Sequence, residues 1–180
     1  LKDRGAVLPG GHMANAAYWF EGNAVGKWIS STYYMTELPQ WVREFNASDA
    51  ITKYKKPWET LKDISEYKES GPDKSPYETP FKAETAPVFP HATPNMLSKN
   101  KDFEILKYTA YGNNITTDFA LEALEKEELG QDLNTDFLAV SYSSTDYIGH
   151  KFGVNSKEIQ DTYLRLDLDL TRLLKTLDEK

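Results

Sequence analysis

An acid and an imidazole stand four residues apart in the second half of the chain, at Asp146 and His150. They follow the apolar run Phe137 to Val140, which is short, contains a β-branched residue and predicts a buried strand. In open α/β sheets the ligand site lies just beyond the carboxyl ends of the strands, where a carboxylate and a histidine can point at one common ion. The pair therefore suits a metal site. It equally suits a turn capped by Asp146 beside a surface histidine, because an Asp–His pair is by itself a weak motif.

The bulk composition describes a globular chain that is long enough for one domain with a sizeable core. Its 180 residues are 39% hydrophobic and 27% charged, and no apolar run approaches the length that spans a membrane. The net charge of −7 and the lack of a Lys/Arg run argue against a nucleic-acid partner, because such binding rests on basic patches. Without cysteine, the chain forms no disulfide and no cysteine-based zinc site.

Two aromatic arms flank a glycine-containing loop and predict a β-hairpin between Ala16 and Tyr34. Tyr18 to Phe20 form one arm, and Trp28 to Tyr34 form the other. Rings arranged in this way either pack against the next element or stack sugars or bases. A short amphipathic helix is predicted to follow from Glu37 to Phe45.

Seven of the nine prolines lie between Pro57 and Asn100. We expect this part to be a loop-rich excursion over the surface, a cap or insertion that could act as a lid. A helical turn or two is expected only between Trp58 and Tyr67. His91 is predicted to be a loop histidine rather than a ligand.

The remainder of the chain alternates helix and strand. Asp118 favours a helix start, an apolar stripe follows from Phe119 to Leu124, and Gly130 closes the helix. The last helix is capped by Asn155 or Ser156, and its apolar residues recur at helical spacing, so we expect it to bury much of its surface. A strand, a polar loop and a long helix in succession predict a βα unit from a mostly parallel sheet, and hence an α/β fold.

Two separated motifs resemble one family. Ser143 to His150, followed by Phe152-Gly153, is similar to a metal-binding segment of the alkaline phosphatase superfamily, in the branch that contains type I phosphodiesterases and nucleotide pyrophosphatases. Lys2 to Ala6, followed by Leu8 to His12, resembles the phosphate-contacting segment of PafA-type bacterial alkaline phosphatases, which belong to the same branch. The aromatic hairpin and the helix after it are also similar to that subgroup.

The resemblance implies a partial alkaline-phosphatase-like fold and a zinc-dependent phosphatase. In this family two zinc ions clamp the attacking and leaving oxygens of a phosphoryl group. By resemblance, Asp146 and His150 are ligands of one zinc, whereas Lys2 and Arg4 contact the phosphate oxygens. A monoester dianion has more charge to neutralise than a diester, so the Lys–Arg pair favours monoester hydrolysis. The alternative is that Lys2 and Arg4 are solvated terminal charges.

The resemblance also divides the chain into three parts of one incomplete catalytic domain. Residues 1–56 hold the phosphate-contacting segment, the hairpin and the short helix; 57–100 hold the Pro-rich insertion; and 101–180 hold the core segment with the metal motif. The family's hydroxyl nucleophile belongs before Leu1, and the remaining zinc ligands belong after Lys180. We therefore expect an internal fragment that is inactive alone and binds zinc weakly through two protein ligands.

For the full protein, the resemblance implies hydrolysis of phosphate monoesters through a covalent phosphoryl-enzyme intermediate. Two alternatives stay open: a phosphodiesterase or nucleotide pyrophosphatase of the same superfamily, and a non-catalytic module whose aromatic hairpin docks a glycan or a protein. The expected partner is a small-molecule phosphate ester. Exported members of the family imply a periplasmic or secreted location.

Overall fold

The computed structural model describes residues 1–23, 26–100 and 103–179, including their side chains except those of 98–100. The α-helices among them are α1 (Asp3–Gly10), α2 (Gln40–Ala47), α3 (Thr93–Asn100), α4 (Tyr111–Lys126), α5 (Ser144–Phe152) and α6 (Lys157–Asp178). The strands are β1 (Trp19–Glu21) and β2 (Lys27–Ile29), and 3₁₀ turns lie at Thr52–Tyr54, Ile64–Glu66 and Glu104–Tyr108. None of the described helices is both long and apolar enough to cross a bilayer.

The predicted aromatic hairpin is confirmed in part. Strands β1 and β2 pair antiparallel with Phe20 opposite Trp28, but each strand has only three residues. The rings of Phe20 and Trp28 are buried and pack towards α4 rather than facing solvent. The hairpin is therefore part of the hydrophobic core.

Phe119 of α4 is the centre of an aromatic cluster that joins the hairpin to α2. Its ring stacks on Trp28 at 4.1 Å between centroids, and Trp41 and Phe45 of α2 contact it at 5.1 and 5.2 Å. Helix α2 begins at Gln40 and not at the predicted Glu37. Leu38 precedes Pro39, and the residue before a proline disfavours helical backbone.

Helix α4 begins at Tyr111 and ends at Lys126, so the predicted boundaries at Asp118 and Gly130 are wrong. The hydroxyls of Thr116 and Thr117 donate to backbone carbonyls one turn earlier in the same helix. This back-bonding satisfies residues that otherwise favour helix starts. Gly130 lies beyond the helix, at a φ of +74°.

The prediction of a buried strand from Phe137 to Val140 is wrong for the described structure. These residues are assigned to no strand, and the Phe137 side chain is 83% exposed. The sheet formed by the described residues is the two-stranded antiparallel hairpin, so a mostly parallel sheet is not confirmed. The polar stretch that follows contains helix α5 rather than an extended loop.

The predicted cap of α6 is confirmed, because the Ser156 hydroxyl accepts a hydrogen bond from the amide of Ile159. The predicted burial holds mainly near the start of the helix, where Glu158 to Thr162 lie largely inside, and Asp169 is a buried residue further along. Further along, the exposed apolar side chains are Tyr163, Leu168, Leu170, Leu174 and Leu177.

The Pro-rich segment contains the 3₁₀ turn Ile64–Glu66, within the predicted range, and also α3 (Thr93–Asn100), so the prediction of helical structure only between Trp58 and Tyr67 is wrong. Nor is the segment simply an excursion over the surface. Trp58 and His91 form an isolated antiparallel bridge, and both side chains are completely buried with Phe81 beside them. The Trp58 indole donates to Asp161 of α6. The segment therefore contributes part of the core against α6.

Candidate active site

Asp146 and His150 lie one turn apart on α5 and face each other. Oδ1 of Asp146 is 3.5 Å from Nε2 of His150, and the two side chains are 49% and 81% exposed. Residues four apart on a helix share a face. Two ligand-type side chains are thus presented together at the surface.

Lys2 contacts this pair although it lies 144 residues away in the sequence. It directly precedes α1, and its ammonium donates to Oδ2 of Asp146 and lies 4.6 Å above the ring of Tyr147. The carboxylate thus uses one oxygen towards His150 and the other towards Lys2. The structure brings the two sequence motifs into direct contact.

The electrostatics of this contact favour an ionised carboxylate. The hydrogen bond from Lys2 lowers the pKa of the Asp146 carboxyl, and its electrostatic interactions with Lys2, His150 and Arg4 lower that pKa further. The Arg4 side chain is exposed and makes no ion pair within the described residues. Its guanidinium is therefore available to an anion beside Lys2.

An open depression of about 500 Å³ lies beside these cations. Its lining residues are Lys2, Arg4, Gly5, Leu8, Pro9, Ala139, Val140 and Ser141. Gly5 lies close to Ser141, because a Cβ at this position would lie 2.7 Å from the Ser141 hydroxyl oxygen and would require that side chain to shift. The depression thus lies between residues 139–141 and the basic residues before and within α1.

The sequence did not reveal the residues that hold α5 in place. The side-chain oxygen of Asn113, on α4, accepts a hydrogen bond from the amide of Ser144, the first residue of α5. The neighbouring Gly112 lies against Ser144 and Leu1. A glycine inside a helical segment often has a packing reason, and that was the available signal.

Asp146 and His150 are two ligand-type residues without a third. Within the described ranges, no three or more His, Asp or Glu side chains are grouped so that they could share a metal ion. The roles of Lys2, Arg4, Asp146 and His150 therefore remain predictions, although the structure places Lys2, Asp146 and His150 in contact.

The sequence matches one family model along almost the whole chain. The chain belongs to the type I phosphodiesterase / nucleotide pyrophosphatase family, whose family model matches residues 2–180. The predicted resemblance to the alkaline phosphatase superfamily is thereby confirmed.

The relatives include proteins named for phosphatase activity. The chain is 51% identical over 182 residues to a protein of Myroides odoratus named calcium-transporting ATPase, covering 99% of this chain and 33% of that protein. It is 50% identical over 180 residues to alkaline phosphatase PhoV of Synechococcus elongatus, covering 99% and 32%. It is 41% identical over 185 residues to alkaline phosphatase PafA of Elizabethkingia meningoseptica, covering 100% and 33%.

Solved structures of PafA share this fold. The wild-type crystal structure superposes with a TM-score of 0.94 at 40% identity, covering 99% of this chain and 34% of PafA. A PafA mutant superposes with a TM-score of 0.93 at 39% identity, covering the same shares. The chain thus spans about a third of the length of these relatives.

Proposed function

We propose that the full-length protein containing this chain is a zinc-dependent hydrolase of phosphate monoesters. In this proposal Lys2 and Arg4 bind the phosphate, and Asp146 and His150 are ligands of one zinc ion. The observation that carries it is the contact between Lys2 and Asp146 across 144 residues. This contact brings Lys2, a residue type that binds anions, next to Asp146, a residue type that binds metal cations. The names of PhoV and PafA support the same class of activity.

The donor set fits a zinc ion in type but not in number. Zinc is commonly bound by carboxylate oxygen and imidazole nitrogen, and a catalytic site has three protein ligands. Oδ1 of Asp146 and Nε2 of His150 face each other, while Lys2 contacts the other carboxylate oxygen. The further ligand would come from outside the described residues. When bound, a zinc pair supplies positive charge to the attacking and leaving oxygens of the ester.

The residues of this chain would bind and orient the phosphate. The Lys2 ammonium is a point charge, whereas the Arg4 guanidinium is a planar fork that matches two phosphate oxygens. The PafA mutant of known structure carries alanine in place of a lysine and an arginine that lie two positions apart. Lys2 and Arg4 have the same spacing, which supports assigning them to one functional unit.

The family description favours a second candidate, a phosphodiesterase or nucleotide pyrophosphatase. Charge distinguishes the two candidates, because a monoester dianion needs more neutralisation than a diester monoanion. We therefore expect the Lys–Arg pair to raise kcat/KM for monoesters more than for diesters.

The decisive experiment measures kcat/KM of the full-length protein on p-nitrophenyl phosphate, bis-p-nitrophenyl phosphate and ATP. ATP is included because one relative is named an ATPase. We expect the monoester to be preferred, and Lys2→Ala and Arg4→Ala each to lower its kcat/KM by about 10²–10³-fold, with a smaller loss for the diester. Lys27→Ala is the control, since Lys27 is an exposed lysine on the hairpin. A preferred diester, or equal losses on both substrates, would select the second candidate.

The non-catalytic module predicts a different result. If Asp146→Ala combined with His150→Ala left the activity of the full-length protein intact, the module would be the better explanation. Phe20 and Trp28 cannot supply the docking face of such a module, because rings that are 1% and 3% exposed offer no face for a sugar, whereas Tyr33 is 59% exposed.

We further propose that the 180-residue chain alone is inactive and that the full-length protein is periplasmic or secreted. With two ligands and no third in the described ranges, zinc should bind the isolated chain more weakly than micromolar in calorimetry. Sub-micromolar binding or phosphatase turnover by the isolated chain would contradict the first part, and recovery of the full-length protein only in the cytoplasmic fraction would contradict the second.

A further inference from the structure

The amino end of α5 is held by a residue from another helix. The first amides of an α-helix have no partner inside the helix and are normally satisfied by a capping side chain. The residue before α5, Ser143, makes no such hydrogen bond to the described part of the helix. Instead, the Ser144 amide donates to the side-chain oxygen of Asn113 at 3.2 Å, across 31 residues of sequence.

The Asn113 side chain is placed for this single contact. It is only 1% exposed, and its nitrogen Nδ2 finds no hydrogen-bond partner in the described chain. A buried amide donor without a partner costs free energy. Within the described residues, the hydrogen bond that Oδ1 of Asn113 accepts from the Ser144 amide is thus the one polar contact of this side chain that offsets the cost of burying Nδ2.

Gly112 allows the helices to approach closely enough for this bond. A Cβ on Gly112 would lie 2.1 Å from the Ser144 hydroxyl oxygen and 2.8 Å from Cδ1 of Leu1. Leu1 is adjacent to Lys2, and Ser144 is two residues before Asp146. Gly112 therefore lies against both segments that carry the Lys2–Asp146 contact.

We propose that Gly112 and Asn113 are positioning residues that set the location of Asp146 and His150 relative to Lys2. Asp146 lies in the first turn of α5, so a displacement of the amino end of this helix moves its carboxylate directly. A misplacement of about 1 Å in a catalytic group can cost about 10²-fold in rate. This inference rests on the proposed function for its kinetic effect but not for its structural effect.

The test compares Asn113→Leu with Asn113→Asp in the full-length protein. Leucine removes the acceptor, whereas aspartate keeps an acceptor oxygen, loses a donor that has no partner in the described chain, and adds a carboxyl group whose neutral form is favoured by burial. We expect Asn113→Leu to lower kcat on p-nitrophenyl phosphate by about 10–100-fold with a smaller change in KM, and Asn113→Asp to retain most of the activity. Thr162→Val is the control, because its buried hydroxyl donates to the Glu158 carbonyl within its own helix, α6.

Hydrogen exchange of the metal-free protein supplies a readout that does not depend on activity. Asn113→Leu should speed exchange of the amides at 144–146, and Thr162→Val should not. Asn113→Ala serves the same purpose if the leucine variant does not fold. Unchanged exchange, or faster exchange with an unchanged kcat, would overturn the inference. If the wild-type protein does not hydrolyse the monoester, the proposed function fails while the exchange result still decides the structural claim.

Discussion

Nε2 of His91 lies 3.1 Å from Oε1 of Glu158, and both side chains are completely buried. On the other side of the ring, Nδ1 lies 3.0 Å from Oε2 of Glu84. Burial lowers the pKa of His91, but the hydrogen bonds to Glu158 and Glu84 outweigh it, so the pKa is raised above 6.5. The imidazolium therefore connects the Pro-rich segment to α6 by charge as well as by packing.

The raised pKa of His91 predicts a free energy of unfolding that falls as the pH rises above 6.5. Below 6.5 the histidine is protonated in both the folded and unfolded states, and its contribution is fully present. As pH rises through the folded-state pKa the contribution is lost, by about 1.4 kcal/mol for each unit of pKa difference. Thermal unfolding of the full-length protein and of His91→Gln, measured across pH, should show this loss only in the wild type. Parallel pH profiles would contradict the prediction.

Asp161 is a second buried charged group between the Pro-rich segment and α6, and we expect its loss to destabilise the fold. Its buried carboxylate accepts hydrogen bonds from the indole of Trp58, the amide of Leu61, the hydroxyl of Tyr67 and the guanidinium of Arg165. Removing one partner of a buried ion pair costs about 3–5 kcal/mol. Asp161→Ala should lower the free energy of unfolding by that amount in a denaturant titration.

Asp167 provides the matched control for this substitution. It is an exposed aspartate on the same helix, and exposed substitutions usually change stability by less than about 0.5 kcal/mol. An equal effect of Asp161→Ala and Asp167→Ala would show that the buried hydrogen bonds contribute little.

Replacing Phe119 by alanine is expected to remove much of the packing energy of the aromatic cluster. Replacing a buried phenylalanine by alanine costs about 3–5 kcal/mol, because a cavity remains. Phe119→Ala should lower the unfolding midpoint and shift the tryptophan fluorescence, since Trp28 and Trp41 both contact this ring. Phe137→Ala removes an exposed phenylalanine instead and should change neither signal. A stable Phe119→Ala variant would mean that the cluster collapses into the space.

Metal content tests the roles of Asp146 and His150 separately from turnover. If they bind one zinc ion, the full-length double variant Asp146→Ala, His150→Ala should lose one of the two ions in elemental analysis. Dialysis against a chelator should abolish wild-type activity, and added zinc should restore it. Asp132→Ala, which removes an exposed aspartate, is the control. Unchanged zinc in the double variant would exclude both residues as ligands.

Features governed by local sequence were predicted well. The hairpin follows from aromatic arms around glycines, and the start of α6 follows from a Ser156 cap.

The start of α4 is an exception. It was predicted too late because Thr116 and Thr117 satisfy their hydroxyls inside the helix. No local pattern indicates that choice.

Features that depend on distant partners were predicted poorly. An apolar run such as Phe137 to Val140 is buried only where neighbouring strands cover it, and sequence periodicity does not report on neighbours. His91 was expected to be an ordinary loop histidine, because its two carboxylate partners are 7 and 67 residues away. Lys2 and Asp146 are 144 residues apart, and their contact was anticipated only through resemblance to a family.

The attachment of the Pro-rich segment limits how it can move. A flap that opens in every catalytic cycle would have to expose Trp58 and His91 to water and strip Asp161 of several donors each time. That work would be repeated at every turnover and would slow product release. The segment is better suited to act as a fixed brace against α6.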